Sequence, residues 1–289
     1  MGYHWQVALL AVFVEGIIFI VLSLTNVREA IFDAIPLNLK KGVSVGIGIF
    51  IAFIGLQNAK LVIGNDSTLV SITNFTKDFH TAGICSLLAV VGLLITVILY
   101  IKKVPGSILI GILATWVIGM LCQVTGIYVP DFKTGYYSLF PTFAMTDFSK
   151  LGETFGKCFQ YDLGKVGIFN FIAVVLSFLF VDLFDTLGTL VGVSTKAGML
   201  DEEGKLPGIK PALMADAVAT TAGAVLGTST VTTFVESSSG VAAGGRTGLT
   251  AVVSGFLFLI STLFAPLFTA IPSFATAPAL LPSPSILSK

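Results

Sequence analysis

Charged residues are scarce in this chain of 289 residues. It has 16 Lys and Arg against 16 Asp and Glu, which together make up 11% of the sequence and cancel to a net charge of zero. This balance excludes both the basic surface typical of nucleic-acid binding and a long acidic tail. Hydrophobic residues make up 55% of the chain, and the mean hydropathy is +0.96. A chain with so little polar surface is predicted to be a polytopic membrane protein.

Cysteine and histidine are rare as well. The cysteines Cys85, Cys122 and Cys158 are odd in number and lack the spacing of metal ligands. They are expected to be small packing residues. His4 and His80 are assigned no role from the sequence. The sequence therefore predicts neither a metal site nor a cofactor.

Apolar runs of about 20 residues, the length that crosses a ~30 Å hydrocarbon core, recur along the chain. The predicted spans are 7–24, 42–63, 83–101, 107–127, 166–193, 212–226 and 249–268. Lys and Arg alternate between rich and poor connections, which predicts an external amino terminus and a long external loop at 128–165.

Two aspartates interrupt the apolar run FLFVDLFDTLGTLVG, and a glutamate follows in a polar stretch. Asp182 and Asp185 are three residues apart, so on a helix they project from one face. Two carboxylates that close in a low dielectric are not both expected to ionise, so one is expected to carry a proton. Intramembrane acids usually mark an ion or substrate path. Alternatively, one acid pairs with a cation, for which Lys196 and Arg246 are candidates.

The stretch that contains Glu236 is too rich in Ser, Thr and Gly for an ordinary lipid-facing helix. Its β-branched run TSTVTTFV favours extended backbone, and Glu236 with Ser237 could open a half-helix. Irregular backbone at membrane depth is tolerated only where it lines a cavity. The alternative is that these small residues merely pack helices closely. Glu15, in the first span, is expected to contact a neighbouring helix or the coupling path.

Four segments together resemble the AzgA-like purine permeases, a branch of the nucleobase/cation symporter (xanthine/uracil permease) family. They are AVFVEGIIFIVLSLTNVREAI (11–31), GIGIFIAFIGLQNA (46–59), VDLFDTLGTLVG (181–192) and GTSTVTTFVESSSGVAAGGRTG (227–248). The resemblance extends over residues 3–280.

The resemblance implies an all-α polytopic fold of fourteen spans in two inverted seven-span repeats, divided into a core and a gate domain. About eight spans would be present in a single, incomplete transporter domain over 1–289. The gate-type spans would lie at about 42–127 and the core-type spans at about 7–24 and 166–268. A short extended segment would precede a half-helix near 228–243.

The resemblance also implies proton-coupled uptake of hypoxanthine or guanine, and of adenine as an option, across the cell membrane. Asp182, Asp185, Glu236 and Ser237 would bind the purine, and Asp185 and Glu236 would couple the proton. Carboxylates suit this task because they accept the N–H groups of a purine in a dry site. The expected partners are a purine nucleobase, the lipid bilayer and, as an option, a second copy of the chain, but no nucleic acid.

The ends depart from the family pattern. About three family spans have no counterpart before the first span, and Pro282 and Pro284 interrupt the last apolar run. The chain is therefore expected to hold spans four to eleven and the start of twelve, and to transport poorly alone. The alternatives are a transporter of another nucleobase or a small anion, a non-functional fragment of such a permease, and an intramembrane enzyme that uses the aspartates as an acid/base pair.

Overall fold

The computed structural model describes residues 4–160, 166–201 and 205–280. The predicted break at Pro282 and Pro284 and the last residues of the predicted external loop lie outside these ranges. The α-helices in the described residues are α1 (Trp5–Leu24), α2 (Val27–Ala34), α3 (Leu37–Asn58), α4 (Ile84–Ile101), α5 (Ser107–Val124), α6 (Ile168–Ala197), α7 (Ile209–Leu226), α8 (Ser237–Ala242), α9 (Gly248–Leu263), α10 (Ala265–Thr269) and α11 (Ser273–Leu280).

Six helical segments in the described part of the chain are long and apolar enough to cross a membrane. They are Trp5–Leu24, Asn38–Asn58, Phe79–Ile101, Ser107–Val124, Ile168–Ala197 and Ile209–Leu226. Helix α9 is apolar too but has only 16 residues. The segment at 228–234 has no regular secondary structure, and the short helix α8 follows it. A helical, multi-pass membrane fold is confirmed.

The predicted second span runs too far toward the carboxyl end. Helix α3 ends at Asn58, and a hairpin follows in which β1 (Val62–Asn65) pairs antiparallel with β2 (Leu69–Ile72). The Asn65 side chain accepts hydrogen bonds from the amides of Ser67 (2.8 Å) and Thr68 (3.1 Å), which fixes the turn. The description of the fold as purely α-helical is corrected by this hairpin. The β-branched residues at 62–63 had extended the apolar run of α3.

One compact unit lies within Met1–Ile47 and Asp147–Gly244. Helix α1 packs along α7 and against α6. The approach of α1 to α7 requires glycine at position 16, since a Cβ there would lie 2.3 Å from Thr221 Oγ1 and 2.9 Å from its backbone nitrogen. This unit carries Asp182, Asp185, Glu236 and Ser237.

The second unit lies within Gly48–Thr146 and Gly245–Lys289. Its core is formed where α4, α5 and α11 meet. The indole of Trp116 donates a hydrogen bond to the carbonyl of Leu139 (2.8 Å), which connects the loop after α5 to that helix. Cys85 is buried in this core, Cys158 is buried in the first unit, and all three cysteines are free thiols, as expected of packing residues.

Helices α4 and α5 meet through two reciprocal glycine–threonine contacts. A Cβ at Gly111 would lie 2.0 Å from Thr96 Oγ1, and one at Gly92 would lie 2.2 Å from Thr115 Oγ1. Each threonine hydroxyl also donates to the carbonyl of the glycine one turn earlier on its own helix, at 2.8 Å for Thr96 and 2.7 Å for Thr115. The two helices therefore touch at backbone distance, as small residues permit in membranes.

We expect the substitution Gly111→Ala to lower the melting temperature of the detergent-purified protein. The added methyl group overpacks the contact with Thr96, which typically costs about 1–3 kcal/mol. Gly255→Ala is the matched control, because a Cβ there meets nothing within 4 Å, and alanine in an exposed helix gains about 0.5–1 kcal/mol over glycine. Equal melting temperatures for the two variants would contradict the close contact.

Candidate functional site

Helix α6 positions two of the predicted site residues over a pocket. Asp182 is buried, with 5% of its surface exposed, and Asp185 is half-buried one turn later. Both line a pocket of about 540 Å³. The prediction that they share a helix face is confirmed by their common pocket.

The pocket walls come from three elements of the first unit. Helix α1 provides Trp5, Ala8, Leu9 and Val12, helix α6 adds Phe178 and Val181 to the two aspartates, and the irregular segment after α7 provides Gly227, Ser229, Thr230 and Thr232. The lining is thus mostly apolar and aromatic, with two carboxylates and a few hydroxyl groups. A volume of about 300–1,000 Å³ with few polar groups is typical of small-molecule sites.

Two threonines hold the irregular segment in place as the third wall. Thr220 of α7 donates to the carbonyl of Val231 (2.9 Å) and accepts from its amide (3.3 Å). The hydroxyl groups of Thr186 and Thr232 lie 3.1 Å apart and connect the segment to α6. These bonds satisfy backbone groups that a helix would satisfy internally.

A buried arginine lies behind the pocket. Arg28, at the start of α2, has only 2% of its surface exposed, and its guanidinium group donates to the Asp216 carboxylate at 2.7 Å and to the carbonyl of Leu213 at 3.0 Å. The same nitrogen that contacts Asp216 lies 3.9 Å from Asp182 Oδ2. Its Cζ lies 3.9 Å from the centroid of the Phe19 ring. Arg28 therefore bridges α1, α2, α6 and α7.

This cluster corrects the expectation from the sequence. The sequence suggested Lys196 and Arg246 as partners of the aspartates, whereas the cation near Asp182 is Arg28. Asp216 had been missed altogether. Its segment KPALMADAVATTAG is only weakly apolar, so an acid there is less conspicuous than in α6. The sequence signal that could have found Asp216 was a single acidic residue within the predicted span 212–226.

Glu15 of α1 completes the cluster. It has no exposed surface, and neither carboxylate oxygen has a hydrogen-bond partner among the described residues. Arg28, Asp182 and Asp216 all act on it electrostatically. Three acids and a single guanidinium group therefore lie within electrostatic range of one another in the interior of this unit.

Glu236 and Ser237 lie at the beginning of α8. Glu236 is exposed and close enough to Asp185 to act on it electrostatically, but it does not line the pocket. Ser237 is exposed, whereas the next residue, Ser238, is buried and its hydroxyl has no hydrogen-bond partner in the described ranges. The described residues contain no group of three or more His, Cys, Asp or Glu side chains arranged to hold a metal ion.

A pocket that holds two carboxylates between helices of a multi-pass membrane protein is typical of a transporter, and the comparison with known families identifies the family. A sequence profile of the family described as "Permease family" (Xan_ur_permease) matches residues 1–288. The chain belongs to this permease family. The family is one of cell-membrane permeases rather than of enzymes, and the match confirms the resemblance drawn from the sequence.

Known relatives of the permease include named nucleobase carriers. The guanine/hypoxanthine permeases PbuG and PbuO of Bacillus subtilis are each 44% identical to it, over 277 and 284 residues, which are 96% and 97% of this chain. The adenine permease AdeQ of Escherichia coli is 37% identical over 282 residues, or 97% of this chain. The matched regions are 58%, 61% and 58% of the lengths of these relatives.

Proposed function

We propose that this permease carries purine nucleobases, hypoxanthine or guanine and optionally adenine, into the cell together with protons. The observation that carries the proposal is the pair of α6 carboxylates, Asp182 and Asp185, in an otherwise mostly apolar pocket of about 540 Å³. The names of the relatives, guanine/hypoxanthine and adenine permeases, support the choice of substrate.

The chemistry of the pocket walls suits a purine. Asp182 and Asp185 provide acceptors for ring and exocyclic N–H groups, and such charge-assisted hydrogen bonds are about twice as strong as neutral ones. Trp5 and Phe178 offer aromatic surface to a flat heterocycle. A base that lacked the matching N–H groups would leave buried carboxylate oxygens without partners, which opposes its binding.

Glu236 and Ser237 complete the proposed site from α8. Both are exposed and follow shortly after the irregular segment that forms one pocket wall, and Glu236 acts electrostatically on Asp185. Asp185 and Glu236 are the proposed proton-coupling pair. Each of two nearby carboxylates disfavours the ionised form of the other, so one of them readily holds a proton.

The proposed architecture is the fourteen-span, seven-plus-seven inverted repeat of the family. The core domain would comprise about 7–24 and 166–268, and the gate domain about 42–127. A homodimer is compatible with this proposal. The irregular segment and short α8 support it, because broken helices of this kind form the binding sites of inverted-repeat transporters.

The proposal is tested by filling the pocket. Ala8→Trp should abolish binding of labelled hypoxanthine to the permease in lipid nanodiscs, because the indole occupies the volume between α1 and α6 without altering any charge. The matched control is Ala30→Trp, on the exposed face of α2, which should bind as the wild type does.

Competition in the same assay identifies the substrate class. Unlabelled guanine and adenine should displace hypoxanthine, whereas uracil and a small inorganic anion should not. Wild-type affinity in Ala8→Trp would contradict this location of the site. Displacement by uracil alone would replace the purine with a pyrimidine as the substrate.

A further inference from the structure

Glu15 is a buried acid that the proposed purine site does not use. It has no exposed surface, and both of its carboxylate oxygens are without hydrogen-bond partners in the described part of the chain. An ionised carboxylate in this position would lack both water and donors, which is the least favourable state for a buried charge. The surroundings therefore favour the neutral, protonated carboxyl group.

The position of Glu15 connects it to the arginine cluster. Phe19, one turn later on the same face of α1, has its ring against the guanidinium group of Arg28 at 3.9 Å. Gly16, the residue after Glu15, allows α1 to approach the backbone of α7 closely, and α7 is the helix that carries Asp216. Glu15 is therefore enclosed by the elements that hold the arginine and its partners.

Three of the helices packed against α1 each contribute one charged side chain near Glu15. Helix α2 provides Arg28, α6 provides Asp182 and α7 provides Asp216, and all three act on Glu15 electrostatically. The remaining neighbour, the single helical turn Lys157–Phe159, carries Lys157, whose amine is engaged by the side chain of Gln160 at 2.6 Å.

The cluster carries an excess of negative charge that a bound proton reduces. Arg28 makes its short contact with Asp216 and a longer one of 3.9 Å with Asp182. With Glu15 ionised as well, three negative charges would face one positive charge in a low dielectric, where repulsion between like charges is strong. No metal-binding group of acids or histidines occurs among the residues described. A proton on one of the three carboxyl groups reduces this repulsion.

The geometry points to Glu15 as a proton-binding site whose occupancy sets how fully Arg28 compensates the charge of Asp182, and thereby the binding of the purine; this inference rests on the proposed function. One proton from water binds a carboxylate oxygen of Glu15 and returns to water when the group ionises. With Glu15 protonated, Arg28 compensates the charges of Asp216 and Asp182 alone, and Asp182 is the ionised acceptor for the base. With Glu15 ionised, the guanidinium group is shared among three acids, so Asp182 loses part of this compensation and its strength as an acceptor changes.

Glu15 is thus a different element from the proposed coupling pair. Asp185 is half-buried on the pocket and Glu236 is exposed, so both are accessible to water. Glu15 does not line the pocket and has no exposed surface. It acts as a positioning residue, through Arg28 and Asp182, and does not touch the substrate.

Infrared difference spectroscopy of the permease in bilayers, titrated across pH, tests the proton site directly. We expect a carbonyl-stretch band of a protonated carboxyl group at neutral pH that is lost in Glu15→Gln. Glu153→Gln, a matched change at an exposed position, should keep the band. Glu15→Asp should restore it at a shifted frequency, which a loss of folding would not do. An unchanged band in Glu15→Gln would overturn the proton site.

Addition of hypoxanthine tests the coupling. The Glu15 band should change in intensity when the base is added. In Glu15→Gln, the affinity for hypoxanthine should lose most of its pH dependence. The affinity itself should stay within about threefold of the wild type, which is less than the tenfold change that corresponds to 1.4 kcal/mol. If the band depends on Glu15 but does not change when hypoxanthine binds, the coupling is overturned. Absence of any hypoxanthine binding, with the band intact, would overturn the proposed function and its coupling but leave the proton site standing.

Discussion

Arg28→Met is expected to destabilise the permease severely. The substitution leaves Asp216 without its 2.7 Å partner and Asp182 without the only cation in the described structure that lies within 4 Å of it. Breaking a buried ion pair from one side typically costs about 3–5 kcal/mol, since an uncompensated charge remains. The thermal melting temperature and the yield of monodisperse protein should both fall well below those of Lys133→Met, a control at an exposed loop position.

A double substitution separates the charge from the packing. Asp216→Leu alone should also destabilise the protein, because Arg28 is then left buried with a weaker partner. Arg28→Met combined with Asp216→Leu should recover a large part of the lost stability, since apolar residues can replace a buried ion pair at little cost. If the two single effects simply add in the double variant, the ion pair is not the source of the stability.

The sequence predicted the helical membrane fold and the α6 aspartates for one reason. Asp182 and Asp185 interrupt a long apolar run, so their cost in a membrane is visible without a structure. The irregular segment before α8 was visible for a similar reason, because the run TSTVTTFV suits neither lipid nor an ordinary helix. In both places local composition contradicts the surroundings, and such contradictions often mark functional sites.

The cluster behind the pocket could not be predicted in the same way. Arg28 and Asp216 are 188 positions apart in the chain, and only the packing of α2 against α7 brings them together. The orientation of the residues in α8 is a second feature that the sequence could not predict, because the residue that faces inward depends on where the half-helix begins. It begins at Ser237, which leaves Ser237 exposed and buries Ser238. Contacts distant in sequence and the exact ends of helices are set by tertiary packing.

Asp182→Asn is expected to weaken hypoxanthine binding by about 10- to 100-fold. The amide has the same size but lacks the charge, and a hydrogen bond to a charged group contributes about 1.5–3 kcal/mol. The folded state should not suffer, because the change removes a negative charge from a cluster in which three acids face one arginine. Equilibrium binding and thermal melting of the same nanodisc samples measure the two effects separately.

The comparison of Asp182→Asn with two other variants assigns the acceptor. Asp66→Asn, at an exposed turn between β1 and β2, should bind as the wild type does. Asp185→Asn should lose less affinity than Asp182→Asn, because Asp185 is half-buried and solvent screens its charge. The opposite order would make Asp185 the main acceptor of the purine. Equal and undiminished binding in all three variants would remove the α6 carboxylates from the site, since the pocket offers no other acid.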